Sequence, residues 1–355
     1  MQLQTSKTPN VAVSIWISLC LAVFASIMML DYAANFMGGG VAITKWKPLE
    51  TVTFPVDDAQ FEAIFEDYRK LPQFTKTFPE MDVYGFKTIY LVDYARYILE
   101  YLLVGLYLIP LLCFYCFKRV SVLNVAAFTA IFLWGSVRNF LDLYMSTASL
   151  YAEPYFVPYG LSIQTGMQFV FFALMLWQLL SFTYPKQGIG GFELPKPSWF
   201  MKVFACIVLA GISLQIVLGG AKTGLHAVLT FNTVPVMDNN SLLPEGLWPM
   251  TQWYRNLFED ATTAQFVHKL IAGGLFGLIT LFWIVGRNNP HVAHLLAILF
   301  SIFVVEVLLG TLTLLFAEPT SISLLHYADA ILVFGIAVSV VHRLFIPIKS
   351  ISYDF

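Results

Sequence analysis

Residues 295–316 read LLAILFSIFVVEVLLGTLTLLF, a stretch of 22 residues in which Glu306 is the single charged side chain. As an α-helix, a stretch of this length crosses a hydrocarbon core of about 30 Å. Comparable stretches recur along the chain: hydrophobic residues are 58% of its 355 residues and charged residues 12%, about half the share in a soluble domain. The sequence therefore predicts an all-α integral membrane protein.

Eight transmembrane helices are predicted from these stretches. They lie near residues 11–36, 88–117, 121–146, 158–184, 199–220, 262–286, 291–316 and 321–345. A shorter helix is predicted at Asp57–Lys70, since apolar side chains recur there on one helical face. These side chains are Phe61, Ile64, Phe65 and Tyr68.

The cations of the short connections determine the predicted orientation. They are Lys118, Arg119, Lys186, Lys196, Arg287, Arg343 and Lys349. Because positively charged connections stay on the cytoplasmic side, both termini are predicted to be cytoplasmic and the long connections, 37–87 and 221–261, to lie outside. The first ten residues lack the Arg-rich amphipathic pattern of an organellar import signal, which favours a bacterial inner (plasma) membrane.

An internal repeat divides the chain into two four-helix halves. Each half begins with a span that ends in glycines, continues through a long outer segment and closes with three spans joined by short links. The first half is residues 1–184, the second is 199–355, and 185–198 is a cytoplasmic linker. The outer segments are 37–87 and 221–261. Tandem four-helix bundles of the same topology predict a pseudo-two-fold axis along the membrane normal.

The charge and cysteine patterns argue against two classes of function. A net charge of −2 without a basic cluster argues against nucleic-acid binding. Cys113 and Cys116 form a CxxC pair inside an apolar span with no second pair nearby, so packing is favoured over metal or redox chemistry.

Two of the six histidines lie well inside predicted spans at similar depth, whereas His291, His294 and His342 lie at the cytoplasmic ends of theirs. Counted from the outer end, His268 is about two turns inside the sixth span and His326 about one turn inside the eighth. Polar side chains in a membrane are costly and mark functional sites, and a facing imidazole pair suits axial ligation of haem iron. Gly273, Gly274 and Gly277 would leave room for a flat macrocycle. Two other interpretations stay open: a hydrogen-bonded pair in a helix interface, and a proton relay of His268, Glu306 and His326.

Six motifs point to a family. The first outer segment carries WKPLETVTFP (46–55) and FKTIY (86–90). The second half carries GLHAVLTFNTVPVMD (224–238) and WYRNLFEDATTAQFVHKLIAG (253–273), then LLGTLTLL (308–315) before LLHYADAILV (324–333). Over nearly its whole length, the chain resembles the haem A synthase family in its form without the outer-loop cysteine pair.

The resemblance implies an activity and two haem sites. Members of the family convert haem O to haem A by oxidising a ring methyl group to a formyl group, for use in terminal oxidases. By resemblance, His268 and His326 hold the iron of a haem b cofactor in the second half. A histidine pair and a glutamate in the first half belong to the substrate haem site. The expected partners are haem, with haem O as substrate, the lipid bilayer, and a haem O synthase or terminal oxidase.

The first half departs from this pattern at its ligand positions. The family's E..HR motif corresponds to Asp93-Tyr94-Ala95-Arg96, so Asp93 replaces the glutamate and Arg96 replaces a histidine. The internal repeat places Gln164 opposite His326, so glutamine replaces the second histidine. Asp93 is accordingly the candidate catalytic carboxylate.

Charged side chains surround these replaced positions. They are Asp31, Asp93, Arg96, Glu100, Arg138 and Asp142, with Asn35 nearby. Because the i,i+4 pairs Arg96–Glu100 and Arg138–Asp142 can each close on one helix face, we expect an ion-pair network that partly fills the former haem cavity. Two alternatives stay open. The arginines could bind an anion such as haem propionates, or the charges could serve stability alone.

Three functions remain after this comparison. The first is an oxidoreductase of the haem A synthase type. The second is a catalytically inactive homologue that binds one haem b, as an accessory, assembly or electron-transfer subunit of a respiratory membrane complex; the altered first half favours it. A transporter is the least favoured, because the spans show no broken helices beyond ordinary glycines and prolines.

Overall fold

The computed structural model describes residues 11–38, 54–71, 74–75, 79–151, 157–183, 196–227, 233, 237, 243–317 and 319–346. In these residues the backbone forms ten α-helices and no β-strand. The helices are α1 (Val11–Gly38), α2 (Asp58–Arg69), α3 (Val83–Cys116), α4 (Val122–Tyr151), α5 (Val157–Thr183), α6 (Trp199–Gly224), α7 (Trp253–Glu259), α8 (Ala261–Gly286), α9 (Ala293–Leu315) and α10 (Thr320–Phe345).

All eight predicted spans lie on helices, whose ends differ from the predicted ones by five residues or fewer. Within the described part of the chain, seven of these helices are long and apolar enough to cross a membrane: α1, α3, α5, α6, α8, α9 and α10. The predicted third span, α4, has 30 residues but is not among the seven. It carries Arg138, Asn139 and Asp142 in its second half. The protein is thus an all-α, multi-pass membrane protein.

The first-half helices pack antiparallel to one another. Trp16 on α1 donates to the carbonyl of Leu106 on α3 at 2.7 Å, whereas Asp31, four turns further along α1, lies 3.3 Å from Arg96 on the same partner. Such contacts require opposite chain directions, since α1 advances as α3 recedes. The interior consequently has an aromatic end near Trp16 and a charged end near Asp31.

The second half has the same kind of packing. Phe204 on α6 contacts Phe282 on α8, with ring centroids 4.6 Å apart, and Gln215 further along α6 reaches back to His268. On the other side, α9 packs along α10, where Glu306 faces His326. Because neighbouring helices run antiparallel, the histidine-bearing ends of α8 and α10 lie together with the adjacent ends of α6 and α9.

The two halves share one apolar core, because α5 packs closely on α6 and α1 packs on α10. Glycine permits the closest approach: a Cβ on Gly224 would lie 2.7 Å from the Cα of Pro158. Tyr32 on α1 stacks on Tyr327 of α10, with centroids 4.3 Å apart and planes inclined by 9°. The halves are therefore joined directly across their middle.

The predicted amphipathic helix is confirmed as α2. Asp57 caps it by accepting a hydrogen bond from the Gln60 backbone N–H at 2.8 Å, and Phe61, Phe65 and Tyr68 are buried as predicted. They pack against Phe86 at the start of α3. Other parts of the predicted outer segments and linker, including Trp46–Pro48, 185–195 and most of Asn232–Asp238, lie outside the described residues.

Candidate haem site

A cavity of about 490 Å³ lies between α1, α5, α6, α8, α9 and α10. Its volume is within the range of about 300–1,000 Å³ for ligand sites in proteins. Most of its lining is apolar, with a few polar side chains that include His268, His326 and Glu306. The two predicted haem ligands thus line one cavity, each from a different helix.

His268 is positioned by α8, whose start is capped by Asp260: its carboxylate accepts from the Thr263 backbone N–H at 2.7 Å. The amide nitrogen of Gln215 lies 3.1 Å from His268 Nε2 and 3.1 Å from its carbonyl oxygen. With the amide nitrogen as donor, Nε2 accepts this hydrogen bond. Nδ1 is buried and has no hydrogen-bond partner.

His326 is held by α10 and faces a carboxylate. Its Nδ1 lies 3.0 Å from Glu306 Oε2 on α9, and both side chains are largely buried. The contact lacks hydrogen-bond alignment in this conformation, so these two atoms have no hydrogen-bond partner. The two imidazoles are close enough to interact electrostatically.

Glycines provide the space around both rings. A Cβ on Gly219 would lie 3.5 Å from His268, and one on Gly310 would lie 3.1 Å from His326. A Cβ on Gly273, Gly274 or Gly277 of α8 would meet no other atom within 4 Å, and of these three glycines Gly273 lines the cavity. Two imidazoles, buried nitrogen atoms without partners and a bare helix face fit a flat macrocycle with two axial nitrogen ligands.

Two lysines add positive charge to this cavity. Lys222 on α6 is buried, and its charge is close enough to act on His268. Lys269 follows His268 and donates to the carbonyl of Thr233 at 2.7 Å. Both line the cavity, so the region beside His268 suits an anionic group.

The first-half charges form a network centred on Arg96. Its Nη2 donates to Asp93 at 2.8 Å and its Nη1 to Glu100 at 3.2 Å, while Nε lies 3.3 Å from Asp31. The i,i+4 pair Arg96–Glu100 therefore closes on α3. Asp93, the candidate catalytic carboxylate, is 3% exposed and engaged by the same guanidinium group.

Arg138 extends the network to α4 and α5. Its Nη2 donates to Asp31 at 2.5 Å, and Gln168 donates to the same carboxylate at 2.6 Å. A second contact joins Arg138 to Glu100 at 3.6 Å. The predicted partner Asp142 has a side chain outside the described part of the chain.

The second replaced ligand, Gln164, lies at the junction of the network and the cavity. It accepts a hydrogen bond from Asn35 on α1 at 3.4 Å, and both residues line the cavity together with Asp31. Tyr327, next to His326, donates to Gln168 at 3.2 Å. Hydrogen bonds thus connect the residue beside His326 to the first-half charges.

Other singled-out residues lie away from the cavity. His342 contacts Ser181 at 3.0 Å near the far end of α10, and Cys113 and Cys116 are free and exposed on α3. Sequence reasoning missed Gln215 and Gln168. Their signal was available, since both are amides inside apolar spans, where an unpaired polar group is costly.

Comparisons with known proteins identify the family of the chain. The profile of the COX15-CtaA family, described as cytochrome oxidase assembly protein, matches residues 14–338. The chain is 30% identical over 335 residues to a heme A synthase of Nitrosospira multiformis, which covers 94% of this chain and 93% of that protein. It is 30% identical over 346 residues to a heme A synthase of Rhodopseudomonas palustris, with 96% and 93% covered.

Proposed function

The chain belongs to the haem A synthase family, the COX15-CtaA cytochrome oxidase assembly proteins, and on that premise we propose that it acts in haem A biosynthesis with one haem b held between His268 and His326. The observation that carries the proposal is the shared cavity of these two imidazoles. A bound haem would supply one-electron redox chemistry there.

The chain's own side chains have distinct parts in this proposal. His268 and His326 would hold the iron, and ligation by His268 Nε2 would require the Gln215 amide to turn away from its present contact. Gly273, which lines the cavity and has open space beside it, would lie against the ring. Lys222 and Lys269 suit the two propionate groups, because a cation in an apolar cavity is stabilised by an opposite charge.

The proposed reaction is the oxidation of the haem O methyl group to a formyl group, with Asp93 as the carboxylate of the substrate site. Support comes from the relatives, which are named heme A synthases. Asp93 is already ionically engaged with Arg96. Proton transfer by Asp93 would therefore require that contact to loosen.

A second candidate function is favoured by the first-half network. Arg96, at a replaced ligand position, contacts three carboxylates, and Gln164, at the other, is bonded to Asn35. These side chains occupy the place where substrate iron would need ligands. In this second candidate the protein is an accessory, assembly or electron-transfer subunit with haem b alone, and its partner is a haem O synthase or terminal oxidase.

One experiment separates the candidates. The full-length protein is co-expressed with a haem O synthase, purified, and its pigments are acid-extracted. Haem A formation that is lost in Asp93→Asn supports the first candidate, and one haem b per chain without haem A supports the second. His268→Ala and His326→Ala should each abolish the six-coordinate reduced-minus-oxidised spectrum, while the exposed His294→Ala should not. Spectra that survive both substitutions would overturn the site.

The membrane arrangement forms part of the proposal. We propose that α4 is an eighth span, because its buried Arg138 is neutralised by Asp31 within the bundle. The matching pairs α1–α3 with α6–α8, and α4–α5 with α9–α10, support the pseudo-two-fold arrangement. Reporter fusions at both termini and in 221–261 test the bacterial inner-membrane location and cytoplasmic termini. Opposite reporter sides at the two termini would exclude eight spans.

A further inference from the structure

Glu306 is a carboxyl group in the middle of an apolar membrane helix. It is the single charged side chain of α9, and a charge at such a depth costs at least about 2.5 kcal/mol when unpaired. Among the described residues, the only side chain within ion-pair distance of Glu306 that can be cationic is His326, at 3.0 Å. A carboxylate at this place costs free energy unless it interacts with the imidazole.

The geometry indicates how the imidazole would interact with this carboxylate. Glu306 Oε2 lies near Nδ1 of His326. When Nε2 of a histidine ligates iron, Nδ1 is the ring nitrogen that remains available for a hydrogen bond. Ligating histidines donate their second N–H to a carboxylate, a carbonyl or water, which fixes the ring orientation and raises ligand basicity. A rotation of the ring about its Cβ–Cγ bond would align the present contact.

Asp329 lies one turn beyond His326 on α10, close enough to Glu306 for the two carboxyl groups to interact electrostatically. Oε2 of Glu306 and Oδ2 of Asp329 have no hydrogen-bond partner. Oε2 of Glu306 is therefore available to the imidazole of His326.

The environment of His268 differs. The Gln215 amide lies 3.1 Å from it, the cation Lys222 lines the same cavity and acts on it electrostatically, and none of the carboxylates in the described ion pairs contacts it. One imidazole has an anionic neighbour and the other has a cationic one. The two rings would therefore donate to a shared iron unequally.

We propose that Glu306 is a positioning residue for the haem: it accepts a hydrogen bond from Nδ1–H of His326, directs Nε2 to the iron and makes His326 the more strongly donating of the two ligands. The inference rests on the proposed function, since it requires His326 to ligate haem iron. Stronger donation stabilises the ferric state, so the carboxylate keeps the haem harder to reduce.

The test uses full-length Glu306→Gln, which keeps the shape of the side chain and removes its charge. Purified protein is titrated with dithionite at controlled potential, and haem content is read from the same sample. We expect the ratio of reduced to oxidised haem at a fixed potential to rise about tenfold, which for one electron is about 59 mV. Glu306→Ala should in addition lose haem, with affinity lowered about 10–100-fold.

Two further variants separate positioning from general effects. Glu306→Asp retains a carboxylate and should restore most of the wild-type potential. Glu259→Gln makes the same chemical change outside the cavity and should leave the potential unchanged. Size-exclusion profiles of each variant report whether the fold is retained.

The outcomes distinguish this inference from the function on which it rests. If His326→Ala loses the haem but Glu306→Gln titrates like the wild type, Glu306 does not position the ligand, and the haem site stands. A lower haem content in Glu306→Gln without a change in potential likewise overturns the inference, since it indicates packing alone. If the wild-type protein holds no six-coordinate haem, the proposed function and this inference fall together.

Discussion

Arg138 on α4 donates through Nη2 to Asp31 on α1 at 2.5 Å, across 107 positions of sequence. The same carboxylate accepts from Gln168 on α5 and lies 3.3 Å from Arg96 on α3. One carboxylate therefore ties together all four long helices of the first half. A single unpaired charge in a bilayer would have a high free-energy cost, whereas these paired charges link the helices.

Breaking this pair should destabilise the protein strongly. Asp31→Asn or Arg138→Met strands a buried charge, and each should lower the apparent free energy of unfolding in detergent by about 3–5 kcal/mol. The double variant should be less destabilised than the sum of the single ones, because neither charge is then left alone. Asp67→Asn, which breaks the exposed pair with Lys70, should change the free energy of unfolding little, because solvent screens exposed ion pairs. Strictly additive effects would show that the two side chains do not depend on each other.

Filling the bare face of α8 should exclude haem without unfolding the protein. A Cβ at Gly273 meets no other atom within 4 Å, and the same holds for Gly105 on α3. Gly273→Leu places the leucine side chain in the cavity, where overpacking costs about 1–3 kcal/mol. Haem affinity should therefore fall about tenfold. Gly105→Leu is the matched control, since Gly105 does not line the cavity. Haem per chain, measured by pyridine haemochrome, gives the result; equal loss in both variants would contradict the assignment.

Closing the gap between the two halves should weaken their packing. Gly224→Ala puts a methyl group 2.7 Å from the Cα of Pro158, a backbone atom with little freedom to move. We expect a loss of about 1–3 kcal/mol in unfolding free energy, seen as a lower thermal midpoint. Gly277→Ala, which enters open space, should leave the midpoint nearly unchanged. An unchanged midpoint in Gly224→Ala would mean that α5 and α6 can separate at no cost.

The contact between α5 and α7 should depend on pH. Hydrogen bonds from Arg255 at 2.6 Å and from Tyr159 at 2.8 Å hold the pKa of Glu259 below its ordinary value. Because the folded state favours the ionised carboxylate, this stabilisation is fully present above the ordinary glutamate pKa of about 4.3 and is lost as the pH falls through the lowered pKa.

Thermal midpoints between pH 7 and pH 3 test that dependence. At neutral pH, Glu259→Gln should melt below the wild type. The two curves should converge as the solution is acidified, because protonation removes the same charge as the substitution. A constant difference over the whole range would show that the amide disturbs packing instead.

Several parts of the site could be predicted from local sequence alone. The runs around His268 and His326 are apolar and helical in length, so the depth of each histidine followed from counting turns. The pair Arg96–Glu100 followed in the same way, because four residues along a helix return to one face. Both properties depend only on neighbours within the same segment.

Other contacts depend on which helices meet. Arg138 binds Asp31 on α1 and lies near Glu100 on α3, whereas the predicted contact with Asp142 on its own helix falls outside the described side chains. Gln215 beside His268 and Gln168 beneath Tyr327 were not predicted. No local periodicity specifies such partners.

The sequence by itself determined the all-α membrane class, the positions of the helices and the place of each polar side chain along its helix, because hydrophobicity and helical spacing act along the chain. Only the tertiary structure decided that His268 and His326 line one cavity, that Glu306 faces one imidazole and Gln215 the other, and that Asp31 gathers two arginines. Those contacts arise from the rotation and closeness of helices distant in sequence, which packing across the bundle determines and a single segment does not encode.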